Sequence, residues 1–421
     1  MLDIPGLAAL HHRNFRLLWF GQLASGLGAN MQAIAIGWHI YQMTDSALAL
    51  GFAAFFRAVP FMTLSLLGGA FADSMDRRRL LMVTQGIQMA VSVALAAATV
   101  AGIESPWIIY AVALAGGVLQ AFDGPARQAL VPSLVPRETL ANALTLNTLA
   151  RQAATIVGPG LGGVAIAVLG VGPTYLVNAI GAIVVVLALV QMHGVAVKPA
   201  PSTGSNLQRI GDGLTFAWSE PLVLLPLAID FLTRALGSPR GLLPVYARDI
   251  FGVGPEGLGW LAAAAAVGAV AGGFWLGSLR RTRWPIVLML SAYMFEGITN
   301  AGFGVSPNIV IGWVMLCLGG ICNVGGEVLF ATIVQLRTPD HLRGRTTALT
   351  GMFASGGPQL GQFQIGVLAE AVGPTTAVVF NGLVAAGVVL VIALLPGLRE
   401  RLFTRELTDL SVDRDTARTG G

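Results

Sequence analysis

The groups in this 421-residue sequence with chemistry to do are ionisable and amide side chains set four apart inside apolar runs. Asp230 and Arg234 form one such pair, Asp123 and Arg127 another; Glu296 with Asn300 and Asn323 with Glu327 repeat the spacing. Residues four apart share a helix face, so each acid can meet its neighbour. In an apolar medium such groups are expensive and mark a pathway or a partner. A carboxyl desolvated there and left unpaired titrates near neutral pH and can carry a proton. Asp230 and Glu327, then Glu296, are the candidate proton carriers, and Arg234, Asn300 and Asn323 the candidate ligand contacts beside them. Glu327 has no cation in its own run, which predicts a proton held to higher pH and an acid free to meet a cationic ligand. For each acid, a neutral or salt-bridged helix contact is the alternative. Asp123 and Arg127 lie near one end of their run and read as a gate, with Arg151 assigned to the same gate. Gln22, Ser25, Gln32 and His39 recur near a 3.5-residue period; they line a polar interior or hydrogen-bond between helices. Arg57 faces either that interior or one of the acids.

The elements that must position these residues are long apolar helices. The chain is 55% hydrophobic and 11% charged, with a mean hydropathy of +0.73. Ordinary globular domains carry roughly a quarter charged residues. Twelve runs read as spans, at 15–42, 46–72, 80–101, 106–129, 140–169, 173–194, 221–247, 256–279, 284–304, 308–336, 345–370 and 375–396. They are continuous rather than alternating in–out, which excludes a membrane β-barrel. The first residues lack the pattern of a cleaved secretory signal, so the first span is expected to be retained. Arg and Lys gather in alternate loops: Arg77–Arg79, Arg137, Lys198, Arg209, Arg280, Arg281, Arg283, Arg337, Arg343, Arg345 and the tail. The loops between them hold only Arg248. The positive-inside rule then places both termini in the cytoplasm of a multi-pass protein of the plasma (inner) membrane. The net charge of +4 is an orientation signal and not a nucleic-acid footprint.

The one long polar connection, 196–220, reads as a Pro/Ser/Gly-rich linker followed by a short amphipathic surface helix. It divides the chain into six-span bundles at 1–195 and 221–396, with a cytoplasmic tail at 397–421. The halves echo each other. "RTPDHLRGRTTALTGMFASGGPQLGQ" (337–362) follows "LVPRETLANALTLNTLARQAATIVGPGLGG" (134–163), and the "VGPT" at 171 recurs at 372. Paired six-span halves characterise one large class of secondary transporters.

The loop after span two, "GGAFADSMDRRRLL", carries five charges between Asp73 and Arg79. Each arginine costs about 2.5–3.5 kcal/mol at a helix centre, so the loop cannot cross. Topology alone accounts for Arg79 and Asp76 but not for Asp73, since acids contribute little to topology. The stretch resembles the signature of the major facilitator superfamily at Gly69, Asp73, Arg77 and Arg78, with Ser74 and Asp76 in place of an Arg and a Gly. "FDGPARQALVPSLVPRETLANALTLN" (122–147) and "RTPDHLRGR" (337–345) resemble the enterobactin-exporter and macrolide-efflux branch of drug:proton antiporters. "GPGLGG" in span five is similar to the Gly-Pro motif of drug antiporters. The resemblance implies an all-α membrane fold of twelve helices in two pseudo-symmetric six-helix bundles. It also implies that Asp73 helps lock the two halves on the cytoplasmic side.

Other chemistries are excluded. "GVGPEG" (252–257) matches a dinucleotide fingerprint in letters only, with no strand before it and a Pro inside it. The sole lysine, Lys198, sits in no phosphate-binding loop, so work must come from a gradient. No metal-ligand spacing occurs and no cofactor is expected. Cys317 and Cys322 point about 140° apart on one helix and cannot bridge. The reading is a non-enzymatic secondary active transporter, a proton-coupled monomeric exporter of small amphipathic molecules such as a drug, macrolide or siderophore. A lipid-handling or uptake carrier of the same fold is the alternative, and a non-transporting receptor stands behind it.

Overall fold

A computed structural model of the chain describes residues 5–192, 221–278, 285–338 and 343–394. The linker 196–220, with its expected surface helix, and the tail 397–421 lie outside the described residues, as do Lys198, Arg209, Arg280, Arg281 and Arg283. No strand occurs among the described residues. A short 3-10 helix (Pro5–His11) leads into twelve long helices. In the first half these are α1 (Arg13–Thr44), α2 (Ala47–Ser74), α3 (Arg77–Val100), α4 (Pro106–Leu130), α5 (Arg137–Leu169) and α6 (Val171–Gln191). The second half holds α7 (Pro221–Gly237), α8 (Gly254–Ser278), α9 (Pro285–Gly304), α10 (Ile309–Arg337), α11 (Arg343–Val372) and α12 (Pro374–Leu394).

The packing repeats when six is added to every helix number. α2 lies on α4, α1 on α5 and α6, and α3 on α4 and α6; α8 lies on α10, α7 on α11 and α12, and α9 on α10 and α12. Glycine makes the equivalent crossings close. A Cβ on Gly117 of α4 would stand 2.2 Å from the carbonyl oxygen of Arg57 on α2, and one on Gly268 of α8 would stand 1.9 Å from that of Cys317 on α10. Lipid gives no hydrophobic drive for helices to associate, so close backbone contact through small residues supplies it.

Among the described residues, nine helices are long and apolar enough to cross a membrane. α1, α7 and α11 fall short for physical reasons. α1 bears the stripe Gln22, Ser25 and Gln32, and α11 bears Gln359, Gln362 and Gln364. Span seven is not the continuous helix expected at 221–247. It stops at Gly237 because Pro239 offers no amide hydrogen and disfavours helix at the residue before it. The chain continues through a 3-10 turn (Pro239–Leu242), one helical turn (Leu243–Val245) and a π-turn (Tyr246–Ile250). Broken helices at membrane depth occur where the backbone lines a cavity.

The most extensive contacts between the halves among the described residues are α2 with α11 and α5 with α8. Both are closest at the end of the bundle away from Arg13 and Leu394, here the far end. A Cβ on Gly366 would meet the carbonyl of Ala47 at 2.7 Å, and one on Gly163 the carbonyl of Pro255 at 2.4 Å.

Candidate functional site: a central cavity between the halves

The halves enclose a cavity of about 320 Å³, within the usual range for small-molecule sites of about 300–1,000 Å³. Its first-half wall comes from α1, α2, α3 and α4 with Asn178 of α6, and its second-half wall from the break in span seven and from α8 and α11. Asp123 and Arg127 form the ion pair expected from their spacing, and both face this cavity. Asp123 also accepts from Thr84 Oγ1 at 3.1 Å and Gln85 Nε2 at 2.8 Å. Arg127 donates weakly to Ser25 at 3.5 Å. Gln32 lines the cavity and accepts from Asn178 at 2.6 Å and Ser92 at 2.9 Å.

The stripe on α1 therefore splits. Gln22 and His39 are buried but stand outside the cavity lining. His39 shares a 2.9 Å hydrogen bond with Tyr175 on α6 and sits 3.6 Å from Glu104, so it is a helix-packing group near the far end. A 32-residue helix tilts and drifts against a 3.5-residue repeat, so one stripe serves different neighbours along its length. Arg151, assigned to the same gate as Asp123 and Arg127, is exposed on α5 and donates to Thr148 at 3.4 Å. Arg57 faces the cavity, donating Nε at 3.2 Å and Nη2 at 3.0 Å to Gln120 Oε1.

A second, smaller cavity of about 70 Å³ lies in the second half, between α7 and its following turn, α8, α9, α10 and α11. Asp230, buried with its side chain 2% exposed, accepts from Arg234 Nε at 2.9 Å and Tyr293 at 2.7 Å. Arg234 Nη2 reaches Glu327 Oε2 at 3.3 Å. The expectation that Glu327 lacks a cation is thus corrected: its partner comes from α7, a neighbour that its own helix cannot reveal. Glu327 is also 48% exposed, the least sheltered member of the chain Asp230–Arg234–Glu327. Glu296 accepts from Asn323 Nδ2 at 3.0 Å across α9 and α10, and both line the small cavity with Asn300. Arg240, in the 3-10 turn of span seven, lines both cavities. Sequence reasoning missed it; the signal was an arginine beside a Ser-Pro step inside an apolar run.

At the far end the halves are clasped. Arg248 Nη1 donates to Asp45 at 2.5 Å, and its guanidinium lies 5.3 Å over the Tyr41 ring, while Tyr41 donates its hydroxyl to Asp249. The hydrogen bond to Asp45 raises the Arg248 pKa further, so this cation stays charged at any working pH. Glu370 of α11 accepts from Ser46 Oγ at 2.9 Å and from the Leu48 amide at 3.1 Å, capping the first turn of α2 from the other half.

At the terminal end, Asp76 caps α3 by accepting from the amides of Arg78 and Arg79, so it does more than set topology. Arg77 donates to the Ala129 carbonyl at 2.8 Å and Arg78 to the Val190 carbonyl at 3.1 Å, each in the last turn of a neighbouring helix. Gly69 and Asp73 lie in the closing turns of α2; their side chains are outside the described residues.

The profile of one family, described as transmembrane secretion effector, matches residues 4–416. The chain belongs to that family. It is a multi-pass membrane transporter of the major facilitator superfamily, not an enzyme. Two relatives fit this placement. The multidrug efflux pump Tap of Mycolicibacterium fortuitum is 28% identical over 370 residues, covering 85% of this chain and 89% of its own. The enterobactin exporter EntS of Shigella boydii is 26% identical over 385 residues, covering 91% and 92%. The fold also matches the nucleoside transporter NupG, with a TM-score of 0.71 at 13% identity over 90% of this chain and 96% of NupG. A bacterial homologue of the lysosomal transporter Spinster, solved inward-facing and unoccupied, superposes with a TM-score of 0.69 at 14% identity over 90% and 95%.

Proposed function

We propose that this transporter is a proton-coupled exporter of amphipathic small molecules, working by alternating access with both termini in the cytoplasm. The observation that carries the reading is a central cavity sealed at its far end by a clasp between the halves, with a chain from the buried Asp230 through Arg234 to the half-exposed Glu327 in the second half. The arginine-rich loops at the terminal end favour the cytoplasmic side, which makes the described state inward-facing. Two six-helix bundles joined by the 196–220 linker rock about the cavity. The Asp73–Arg79 loop, whose arginines already hold the carbonyl ends of α4 and α6, closes the cytoplasmic side in the opposite state. Gln32, Arg234, Asn300 and Asn323 contact the substrate, whose apolar body lies on Ile36, Leu50 and Leu258. Protons exchange at Asp230, Glu327 and Glu296, and the transporter acts as a monomer. The relatives support export, one named for drugs and one for a siderophore.

The reading is tested with the neutral dye N-phenyl-1-naphthylamine (NPN). Cells overproducing the transporter should expel preloaded NPN faster than control cells, and a protonophore should remove the difference. Equal efflux with and without the protonophore defeats proton coupling. Orientation is tested in protein whose Cys317 and Cys322 are changed to Ala. Glu104→Cys should react with an impermeant thiol reagent added outside intact cells, and Arg79→Cys should not. The reverse labelling would turn the topology over.

A further inference from the structure

The cavity holds more positive charge than its acids balance. Of its arginines, Arg127 is paired with Asp123. Arg57 on α2 has only the neutral Gln120, which occupies the Nε and Nη2 edge of the guanidinium and leaves Nη1 unengaged. Arg240, from the opposite half, has its backbone amide held by Ser238 at 3.4 Å. Its guanidinium makes no hydrogen bond or ion pair among the described residues, and it faces both cavities. Glu296 acts on Arg240 electrostatically but without ion-pair contact, and its carboxylate is held by Asn323. Asp230 and Glu327 are already committed to Arg234. Two guanidiniums from opposite halves thus line one cavity with no carboxylate in ion-pair contact with either.

A charge held at membrane depth without a partner is retained for one that arrives. The guanidinium fork matches a carboxylate, sulfonate or phosphate with two parallel hydrogen bonds, and it stays charged where an ammonium would lose its proton. We propose that Arg57 and Arg240 form an anion subsite, so that the preferred substrates of this cavity are amphipathic molecules bearing an acidic group, held between the two halves. This rests on the export reading and deepens it: the acidic group bridges α2 and the break in span seven, the two walls that move apart when the far end opens. It also reverses the expectation of a cationic ligand at Glu327, since that acid already has Arg234.

The test uses two dyes with one body. 1-Anilinonaphthalene-8-sulfonate (ANS) is NPN with a sulfonate added, and both fluoresce on entering an apolar site. Binding is measured to full-length protein in neutral-lipid nanodiscs, with empty nanodiscs as background and no ion gradient. Wild-type protein should bind ANS about tenfold or more tightly than NPN, the preference expected of charge-assisted contacts in a dry site. Arg57→Gln and Arg240→Gln should each bring that ratio down several-fold, and the double variant should bring it to about one. Arg240→Lys should retain part of it. ANS bound no tighter than NPN by the wild type overturns the proposal, as does an undiminished ratio in the double variant. Because no gradient is present, failure here leaves the protonophore result untouched. Loss of protonophore sensitivity with the ANS preference intact would overturn only the coupling.

Discussion

Asp230→Asn protein reconstituted in liposomes is expected to lose pH-gradient-driven accumulation of NPN by about 10- to 100-fold while still exchanging it down its own gradient, the size of a typical coupling free energy between sites. Asp230 is almost fully buried and accepts from both Arg234 and Tyr293. In the proposed coupling, Asp230 and Glu327 compete for the one guanidinium of Arg234, which both already contact. Under that proposal a proton taken up at Asp230 changes which helices are tied together, the two-state element a proton carrier needs. The amide keeps the shape and freezes the protonated state. Glu327→Gln should reduce accumulation less, because Glu327 is half exposed and its pair with Arg234 is longer. Removing one partner of a buried pair costs about 3–5 kcal/mol, so reconstituted yield and melting temperature must be measured beside transport. Wild-type accumulation by well-folded Asp230→Asn protein would move proton coupling to Glu296 or Asp123.

Gly163→Leu, and separately Gly366→Leu, should hold the far end open. A Cβ at Gly163 would already stand 2.4 Å from the Pro255 carbonyl and 3.0 Å from the Gly259 Cα; at Gly366 it would stand 2.7 Å from the Ala47 carbonyl. These obstacles are backbone, which cannot rotate aside. Overpacking of this kind costs about 1–3 kcal/mol, and here the cost falls only on the state in which α5 meets α8 and α2 meets α11. It therefore shifts the balance between closed and open by about 5- to 150-fold without loosening either bundle. Spin labels at Glu104 and Val305, one in each half at the far end, should report a longer distance by pulsed electron resonance, and transport should fall steeply. An unchanged distance with normal transport would show that these contacts do not seal the cavity.

How far the sequence reaches depends on the range of each interaction. The pairs Asp123–Arg127 and Asp230–Arg234 were legible because one turn of one helix fixes residues four apart, whatever surrounds them. The apolar runs determined twelve helices, all but the seventh within a few residues of their ends, since an unpaired backbone group in lipid forces helix on any long apolar stretch. The repeat between the halves was legible for the same reason as its packing: duplicated sequence builds duplicated surfaces.

Tertiary structure decided what each helix turns toward. A helix that is apolar nearly all round, as α8 and α12 are, carries no stripe to say which face is inside. Where a stripe exists, as on α1, rotation and tilt assign Gln32 to the cavity and His39 to Tyr175. Those rotations are set by glycine crossings between backbones, which composition does not locate. The contacts from Arg234 to Glu327, from Asn323 to Glu296 and from Glu370 to the first turn of α2 follow from them. The break at Pro239 was written in the sequence, but its consequence was not. Arg240 belongs to the cavity because the interrupted backbone turns there between the two halves.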